Sequence, residues 1–264
     1  MGFGNVGLRG LVGGAVALVT WVGTGSAQTG AGGAVQVPVR LEAGRIVVPV
    51  KTGTGETLDF VLSTGSLVTV YSTSGAARVG ATPRLTLGGL PVPTEGAQTV
   101  GDEALAGEGR TFDGMVSSNM LNQYDVLLDV PGGKLTLKPV GASVTWDDVA
   151  LSPPTPLRIF HGIVLSLDVA LNGHRYPAAL ELGTPMVVAN ERAAEEAGVK
   201  DGGVGAVSVG GATVEGIPVR VMDLEVLRRF SPNGDPFVLV GAPLAYRCAL
   251  AISWAHREIR TCKP

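Results

Sequence analysis

Short apolar runs that end in turn-forming residues recur along almost the whole chain. Apolar and polar positions alternate at residues 35–39, and residues 57–62 form an apolar run before a polar turn. Runs of this length, bounded by Gly and Pro, are typical of β-strands. One short helix is predicted at residues 191–198, where charged and alanine residues end at Gly198. The chain is therefore predicted to be all-β, with a few short helices.

The sequence repeats itself once. Each feature of the first half recurs in the second half at a nearly constant offset of 118 to 124 residues. The matching segments are residues 57–66 with 175–184, 85–89 with 207–211, 115–117 with 239–241, and 126–129 with 249–252. A constant offset across several landmarks indicates a duplicated lobe. We therefore predict one lobe at residues 35–145 and a second lobe at residues 146–264.

Composition agrees with a turn-rich β protein. The 264 residues include 39 Gly and 17 Pro, and 45% of them are hydrophobic, which favours many turns around one large core or two smaller ones. The formal net charge is −3, so electrostatics give no reason to expect a nucleic-acid partner.

The first residues have the pattern of a secretory signal peptide. Arg9 precedes an apolar run at residues 11–22, and small residues follow up to Ala27. This pattern predicts cleavage before Gln28, with residues 28–34 as a linker. The alternative is an uncleaved membrane anchor, for which the apolar run is short. No later segment is long and apolar enough to span a bilayer, so we expect an exported protein, periplasmic or extracellular, without a membrane span.

The two cysteines fit export. Cys248 and Cys262 flank two strand-like segments that are predicted to fold into a hairpin about Ala255, which places the cysteines opposite each other. An oxidising compartment would then close a disulfide, and the alternative is a pair of free buried thiols. Two cysteines without a histidine pair at ligand spacing do not predict a metal site, and no cofactor is expected.

The order of motifs within each half resembles the lobe of retropepsin and pepsin. Each half has an apolar strand, a polar turn with Gly, a second apolar strand and a hairpin. Two further apolar residues then precede a short helix. With the duplication, the chain is similar to single-chain aspartic peptidases of the kind exported by bacteria. The resemblance implies two similar β-barrel lobes that face each other across a cleft. It also implies one Asp-Thr/Ser-Gly triplet per lobe, whose two carboxylates share a proton and activate a water.

The resemblance places these triplets at Ser63, Thr64 and Gly65 in the first lobe, and at Glu181, Leu182 and Gly183 in the second. Both aspartates are therefore replaced. Ser63 does not titrate in the useful pH range, and Leu182 lacks the hydroxyl that would bridge the two loops. The apolar pair plus Gly is kept in the second lobe at residues 239–241, but Ser117 replaces the Gly in the first lobe.

Three functional hypotheses follow. The first is a pseudo-peptidase that binds an extended peptide in the inter-lobe cleft, with the hairpins at residues 88–89 and 210–211 overhanging it. The second is a weakly active endopeptidase that uses Glu181 and a water. The third is a structural envelope module whose cleft is closed by side chains such as Leu182. We assign no catalytic role to the remaining acidic and histidine candidates, which are Asp59, Asp113, Asp129, His161 and His174.

Overall fold

The computed structural model describes residues 28–29, 33–81, 83–140, 146, 149–160, 164–224, 228 and 230–263. The predicted signal peptide and His161 lie outside the described residues.

The first half of the chain forms strands β1 (Gln28–Thr29), β2 (Val35–Pro38), β3 (Arg40–Glu42), β4 (Arg45–Thr52), β5 (Thr57–Leu62), β6 (Val70–Ser72), β7 (Leu85–Leu87), β8 (Leu90–Pro91), β9 (Gln98–Val100), β10 (Ala106–Gly107), β11 (Arg110–Thr111), β12 (Gly114–Val116), β13 (Tyr124–Asp129) and β14 (Lys134–Pro139). Its helices are α1 (Thr73–Val79), α2 (Ser118–Leu121) and a 3₁₀ helix at Asp102–Leu105.

The second half forms strands β15 (Thr155–Pro156), β16 (Arg158–Phe160), β17 (Val164–Leu171), β18 (His174–Glu181), β19 (Val187–Ala189), β20 (Val204–Val209), β21 (Ala212–Val221), β22 (Val238–Gly241), β23 (Leu250–Ser253) and β24 (Glu258–Thr261). Its helices are α3 (Glu191–Glu196) and a 3₁₀ helix at Ala242–Ala245.

These strands form the two lobes that the sequence repeat predicts. In the first lobe, the strand order is β8-β7-β4-β5-β12-β6-β9, and β3 pairs with β4. In the second lobe, the order is β16-β17-β18-β22-β19-β21-β20, and a β17–β20 pairing closes six of these strands into a barrel. The parallel pair β5–β12 corresponds to the parallel pair β18–β22, and β6–β9 corresponds to β19–β21. The predicted all-β fold with two similar lobes is confirmed.

A third sheet joins the lobes, in the order β1-β2-β14-β13-β23-β24-β15. Its centre is the antiparallel pairing of β13 with β23, in which Val126 lies opposite Ile252 and Leu128 lies opposite Leu250. These are two of the segments that match each other in the sequence repeat. The two copies of one segment therefore pair with each other, and the apolar residues of both lobes form one continuous core.

The helices begin and end where local chemistry predicts. At the start of α3, the side chain of Asn190 accepts a hydrogen bond from the Ala193 amide at 3.0 Å, which satisfies one of the free N–H groups of the first turn. Gly198 follows the helix with a φ of +66°, a conformation that favours glycine. The predicted helix is confirmed, and it spans Glu191–Glu196 within the predicted range 191–198.

The hairpin turn at residues 210–211 does not overhang the cleft between the lobes. A Cβ atom built at Gly210 would lie 2.9 Å from Thr155 Oγ1 and 3.2 Å from Ser152 Oγ. Thr261 Oγ1 also donates to the carbonyl of Val209 at 3.2 Å. The turn thus packs against the end of the sheet that joins the lobes, and the expectation that it covers the cleft is wrong. The hairpin at residues 88–89 extends from Leu87, which pairs with Val50 in the second half of β4.

The predicted disulfide between Cys248 and Cys262 is present. The hairpin turn is displaced by half a residue from the predicted centre, because Ser253 pairs with Glu258 and Leu250 pairs with Thr261. The cysteines are therefore offset by one position instead of lying directly opposite each other. Their Cα atoms are 5.2 Å apart, a separation that suits a disulfide.

Replacing both cysteines with alanine is expected to lower the free energy of unfolding by about 3 kcal/mol. The cysteines are 14 residues apart, and closing a loop of this length restricts the unfolded chain by about that amount. Urea unfolding of the oxidised wild type, the reduced wild type and the double variant measures the effect. An unchanged free energy of unfolding after both reduction and substitution would contradict the expectation.

Candidate functional site

The structure brings the two predicted triplets together at the interface between the lobes. Ser63 directly follows β5, and Glu181 ends β18, so each residue lies at the end of a central strand of its lobe. The hydroxyl of Ser63 donates to Glu181 Oε1 at 2.8 Å and lies 3.1 Å from Oε2. Ser63 is fully buried, whereas Glu181 is partly accessible to solvent. A neutral hydroxyl and a carboxylate thus occupy the positions that the resemblance assigns to two carboxylates.

Thr64 links the two loops. Its hydroxyl donates to the carbonyl of Leu180 at 2.7 Å and accepts from the amide of Leu182 at 3.1 Å. Leu182, at the equivalent position of the second lobe, has no hydroxyl to bond the first-lobe loop in the same way. Its side chain is buried in the core. The bridge between the loops is therefore made from the first lobe alone, by one fully buried hydroxyl.

The two glycines of the triplets leave room for the side chain of Glu181. A Cβ atom at Gly65 would lie 2.0 Å from Glu181 Oε2, and a Cβ atom at Gly183 would lie 2.5 Å from Oε1. A side chain at either position would therefore displace the carboxylate from its present position. The side chain of Glu181 therefore crosses the lobe boundary and lies against the first triplet.

Two donors form hydrogen bonds with the carboxylate of Glu181. The Gly183 amide donates to Oε1 at 2.5 Å in addition to the Ser63 hydroxyl, and the nearby amides of Thr64 and Gly65 also favour the charged form. Burial raises the pKa of Glu181 above the ordinary value of 4.5, and these hydrogen bonds oppose part of that rise. A carboxylate has about four lone-pair sites, so these two donors leave part of its acceptor capacity open.

Arg45 and Tyr246 add a second set of contacts between the lobes. Arg45 Nη1 donates to the carbonyl of Gly183, and its positive charge interacts with Glu181. The hydroxyl of Tyr246 donates to the carbonyl of Gly44 at 2.6 Å. Burial lowers the pKa of Arg45 and raises the pKa of Tyr246 to about 12. At neutral pH Arg45 is charged and Tyr246 keeps the proton that it donates.

Sequence analysis missed both residues. Arg45 is separated from Gly183 by 138 residues, and Tyr246 from Gly44 by 202 residues. Neither residue belongs to a motif, so no local pattern marks them.

The segments behind the triplets keep the same backbone arrangement in both lobes. The amide of Ser118 donates to the carbonyl of Ser66 at 3.1 Å, and the amide of Ala242 donates to the carbonyl of Thr184 at 2.8 Å. A Cβ atom at Gly241 would lie 2.1 Å from the Met186 carbonyl, so this glycine is required. At the corresponding position of the first lobe, the hydroxyl of Ser117 donates to the carbonyl of Val68 at 2.6 Å. A side-chain hydrogen bond in the first lobe thus replaces the close contact that Gly241 makes with the Met186 carbonyl in the second lobe.

The other acidic and histidine candidates lie in different surroundings. Asp113 accepts the Asp59 amide at 2.8 Å and pairs with Arg78, so its carboxylate holds a turn in place. His174 is exposed and begins β18, the strand that Glu181 ends. In the described ranges, no group of three His, Cys, Asp or Glu residues could hold a metal ion.

Comparison with known proteins supports the fold. No family profile matches the chain, and no curated protein matches it in sequence. Its structure is similar to the crystal structure of the aspartic proteinase from Irpex lacteus, with a TM-score of 0.54 and 13% sequence identity. The similarity covers 87% of this chain and 97% of the proteinase. The chain therefore has the pepsin-like two-lobed fold that the motif order predicts.

Thr64→Val is expected to lower the free energy of unfolding by about 2–3 kcal/mol. The variant keeps the shape of the side chain but leaves the carbonyl of Leu180 and the amide of Leu182 without a buried partner. Thr64→Ser is the matched control, because it keeps the hydroxyl. Urea unfolding measures both variants, and equal losses in the two would show that the hydroxyl contributes nothing.

Glu181 is expected to make stability fall as the pH rises. Its pKa is raised in the folded state, so the folded protein holds the proton more tightly than the unfolded chain does. The stabilisation is complete below the unfolded value near 4.5 and is lost as the pH rises through the folded pKa. The free energy of unfolding of the wild type, minus that of Glu181→Gln, should therefore decrease as the pH rises above about 4.5. A flat or rising difference would contradict the shift.

Proposed function

We propose that this protein is a catalytically inactive aspartic-peptidase-like protein that binds an extended peptide segment between its two lobes. The observation that carries the proposal is the Ser63–Glu181 hydrogen bond at the position of the carboxylate pair. This hydrogen bond holds the two triplet loops together. Because Ser63 has no carboxylate, only one of the two acids that catalysis requires is present.

Peptide hydrolysis in this fold requires one carboxylate as base and one as acid. Ser63 supplies neither group at ordinary pH. Glu181 is the single carboxylate at this position, and its hydrogen-bond partners among the described residues are the Ser63 hydroxyl and the Gly183 amide. Neither partner is an acid that titrates in the useful pH range, which argues against the alternative of a weak endopeptidase that uses Glu181 and a water.

Accessible surface beside the triplets supports a binding role. Leu67, four residues after Ser63, is 45% exposed, and Pro185 and Met186 are partly exposed after the second triplet. Exposed apolar side chains suit an extended peptide, which is held by main-chain hydrogen bonds and by pockets for alternate side chains. Such binding needs the loops and not the acids, because fold and activity are separable.

Export is part of the same proposal. The signal peptide at residues 1–27 is a sequence prediction, and the disulfide is consistent with an oxidising compartment. No helix in the described part of the chain is long and apolar enough to cross a membrane. We propose a periplasmic or extracellular location for the mature chain.

A structural role is the second candidate. The turn between β3 and β4 reaches the second lobe, where Gly44 accepts the Tyr246 hydroxyl and Arg45 donates to Gly183. A Cβ atom at Gly44 would also lie 3.1 Å from Pro185 Cβ. These contacts tie the lobes together beside the candidate site, as a module with a closed cleft would require.

A cleavage assay tests the catalytic part of the proposal. The mature chain from Gln28, Glu181→Gln and the double variant Ser63→Asp/Glu181→Asp are each incubated with a fluorogenic peptide library between about pH 3 and 8. We expect no cleavage by the wild type or by Glu181→Gln. Cleavage by the wild type that is lost in Glu181→Gln would establish a one-carboxylate enzyme and overturn the proposal.

A binding assay tests the remaining part. We expect fluorescein-labelled random decapeptides to bind the wild type, and Leu67→Glu or Met186→Glu to weaken binding about tenfold by placing a charge beside the triplets. Val204→Glu is the matched control, because Val204 is 64% exposed at the start of β20. Absence of binding by the wild type, together with an inactive double variant, would favour the structural module.

A further inference from the structure

A groove of about 370 Å³ lies away from the triplets in the second lobe. It is lined by residues 211–215 of the β20–β21 hairpin and by Arg247, Cys248 and Cys262. None of the triplet residues lines it. The proposed function does not use this groove.

One side of the groove is an unpaired strand edge. Gly210 and Gly211 form a two-residue turn with φ values of +59° and +90°, so Val209 and Ala212 form the first hydrogen-bonded pair of the hairpin. Hydrogen-bonding direction alternates along a strand. The main-chain groups of Ala212 and Val214 therefore face β20, and those of Thr213 face the groove.

The pairing of the neighbouring strands agrees with this alternation. Ala206 of β20 accepts the Asn172 amide at 2.9 Å beside β17, so its main chain faces away from β21. On the other side of β21, β19 pairs only from Val219 onward. Among the described residues, the outward N–H and C=O groups of Thr213 and Glu215 have no hydrogen-bond partner.

The second wall of the groove carries a positive charge. Arg247 is exposed, and no described residue forms an ion pair or hydrogen bond with it. Glu215 is also exposed and also has no such partner within the described residues. A guanidinium group without a protein partner is suited to binding a carboxylate through two parallel hydrogen bonds.

The groove is held in a fixed shape. The Cys248–Cys262 disulfide fixes one wall covalently, and the Cys262 amide contacts Cys248 Sγ at 2.9 Å. The tip of the opposite hairpin is anchored where Thr261 Oγ1 donates to the Val209 carbonyl. Because neither wall has to be ordered during binding, an occupant would lose little of its binding free energy to rearrangement of the protein.

We propose that this groove binds an extended peptide segment that bears a carboxylate. The peptide adds a strand to the edge at Thr213 and Glu215, and its carboxylate pairs with Arg247. The unpaired main-chain groups require a partner with a backbone of its own, and the charge of Arg247 selects an acidic side chain or a free C-terminus. An open strand edge is a template for pairing with an added strand.

The test uses the mature chain and the fluorescein-labelled peptide Thr-Val-Thr-Val-Asp with a free C-terminus, measured by fluorescence anisotropy. Thr213→Pro removes the outward N–H without touching the bonds to β20, and is expected to weaken binding at least tenfold. Thr213→Val is its matched control, because both variants lose the Thr213 hydroxyl contact with Ser208 and only valine keeps the N–H.

A second pair of measurements tests the charge. Arg247→Gln is expected to weaken binding of the acidic peptide about tenfold, and Arg247→Lys is expected to retain part of the affinity. The neutral peptide Thr-Val-Thr-Val-Asn with an amidated C-terminus should bind weakly and should not respond to Arg247→Gln. Equal responses of the two peptides would overturn the role assigned to Arg247.

Two outcomes would overturn the proposal as a whole. Binding that is unchanged in Thr213→Pro but lost in Leu67→Glu would place the peptide between the lobes. Absence of peptide binding, with a wild-type dimer in sedimentation that Thr213→Pro converts to a monomer, would identify a second copy of the chain as the occupant. Binding that responds to Thr213→Pro and not to Leu67→Glu supports the groove, whatever the result for the cleft.

Discussion

The hydrogen bond from Ser63 to Glu181 crosses the boundary between the lobes, and the surrounding loops are shaped to accommodate it. The glutamate side chain reaches the first triplet only because Gly65 and Gly183 leave room for its carboxylate. The Thr64 hydroxyl then fixes the distance between the loops through the main chain of the second lobe. The Ser63 hydroxyl and the Gly183 amide hold the carboxylate in one position, so the triplets join the lobes as a structural contact.

At this contact the fold is kept, whereas the side chains that would carry the chemistry are changed. The chain has the pepsin-like two-lobed fold, with the parallel pairs β5–β12 and β18–β22 at the centres of the lobes. The chemistry departs from what the resemblance implies, because serine and glutamate occupy the two aspartate positions. A serine leaves nothing to titrate at the first of these positions, and the longer glutamate takes its donors from both lobes. Arg45 balances part of the negative charge that this arrangement buries.

The two surfaces proposed to bind peptides rely on the same property of β structure. Main-chain groups at the end or edge of a sheet remain available for an added strand when neighbouring strands do not cover them. Between the lobes, the exposed Leu67 and the partly exposed Met186 offer apolar side chains beside the triplets. At the groove, the uncovered edge is at Thr213 and Glu215, with Arg247 across from it. The first surface is mainly apolar, whereas the second carries charge.

The sequence alone predicted the duplicated β lobes, the helix before Gly198 and the disulfide, and the family resemblance placed the two triplets. The lobes, the helix and the cysteine pairing follow from alternation, turn residues and spacing, which act over short distances or repeat at a fixed offset. Only the tertiary structure decided that Arg45 and Tyr246 meet the opposite lobe, and that the hairpin at residues 210–211 packs on the joining sheet. Such contacts join residues far apart in the chain, so they depend on how the two lobes are oriented, which no local pattern encodes.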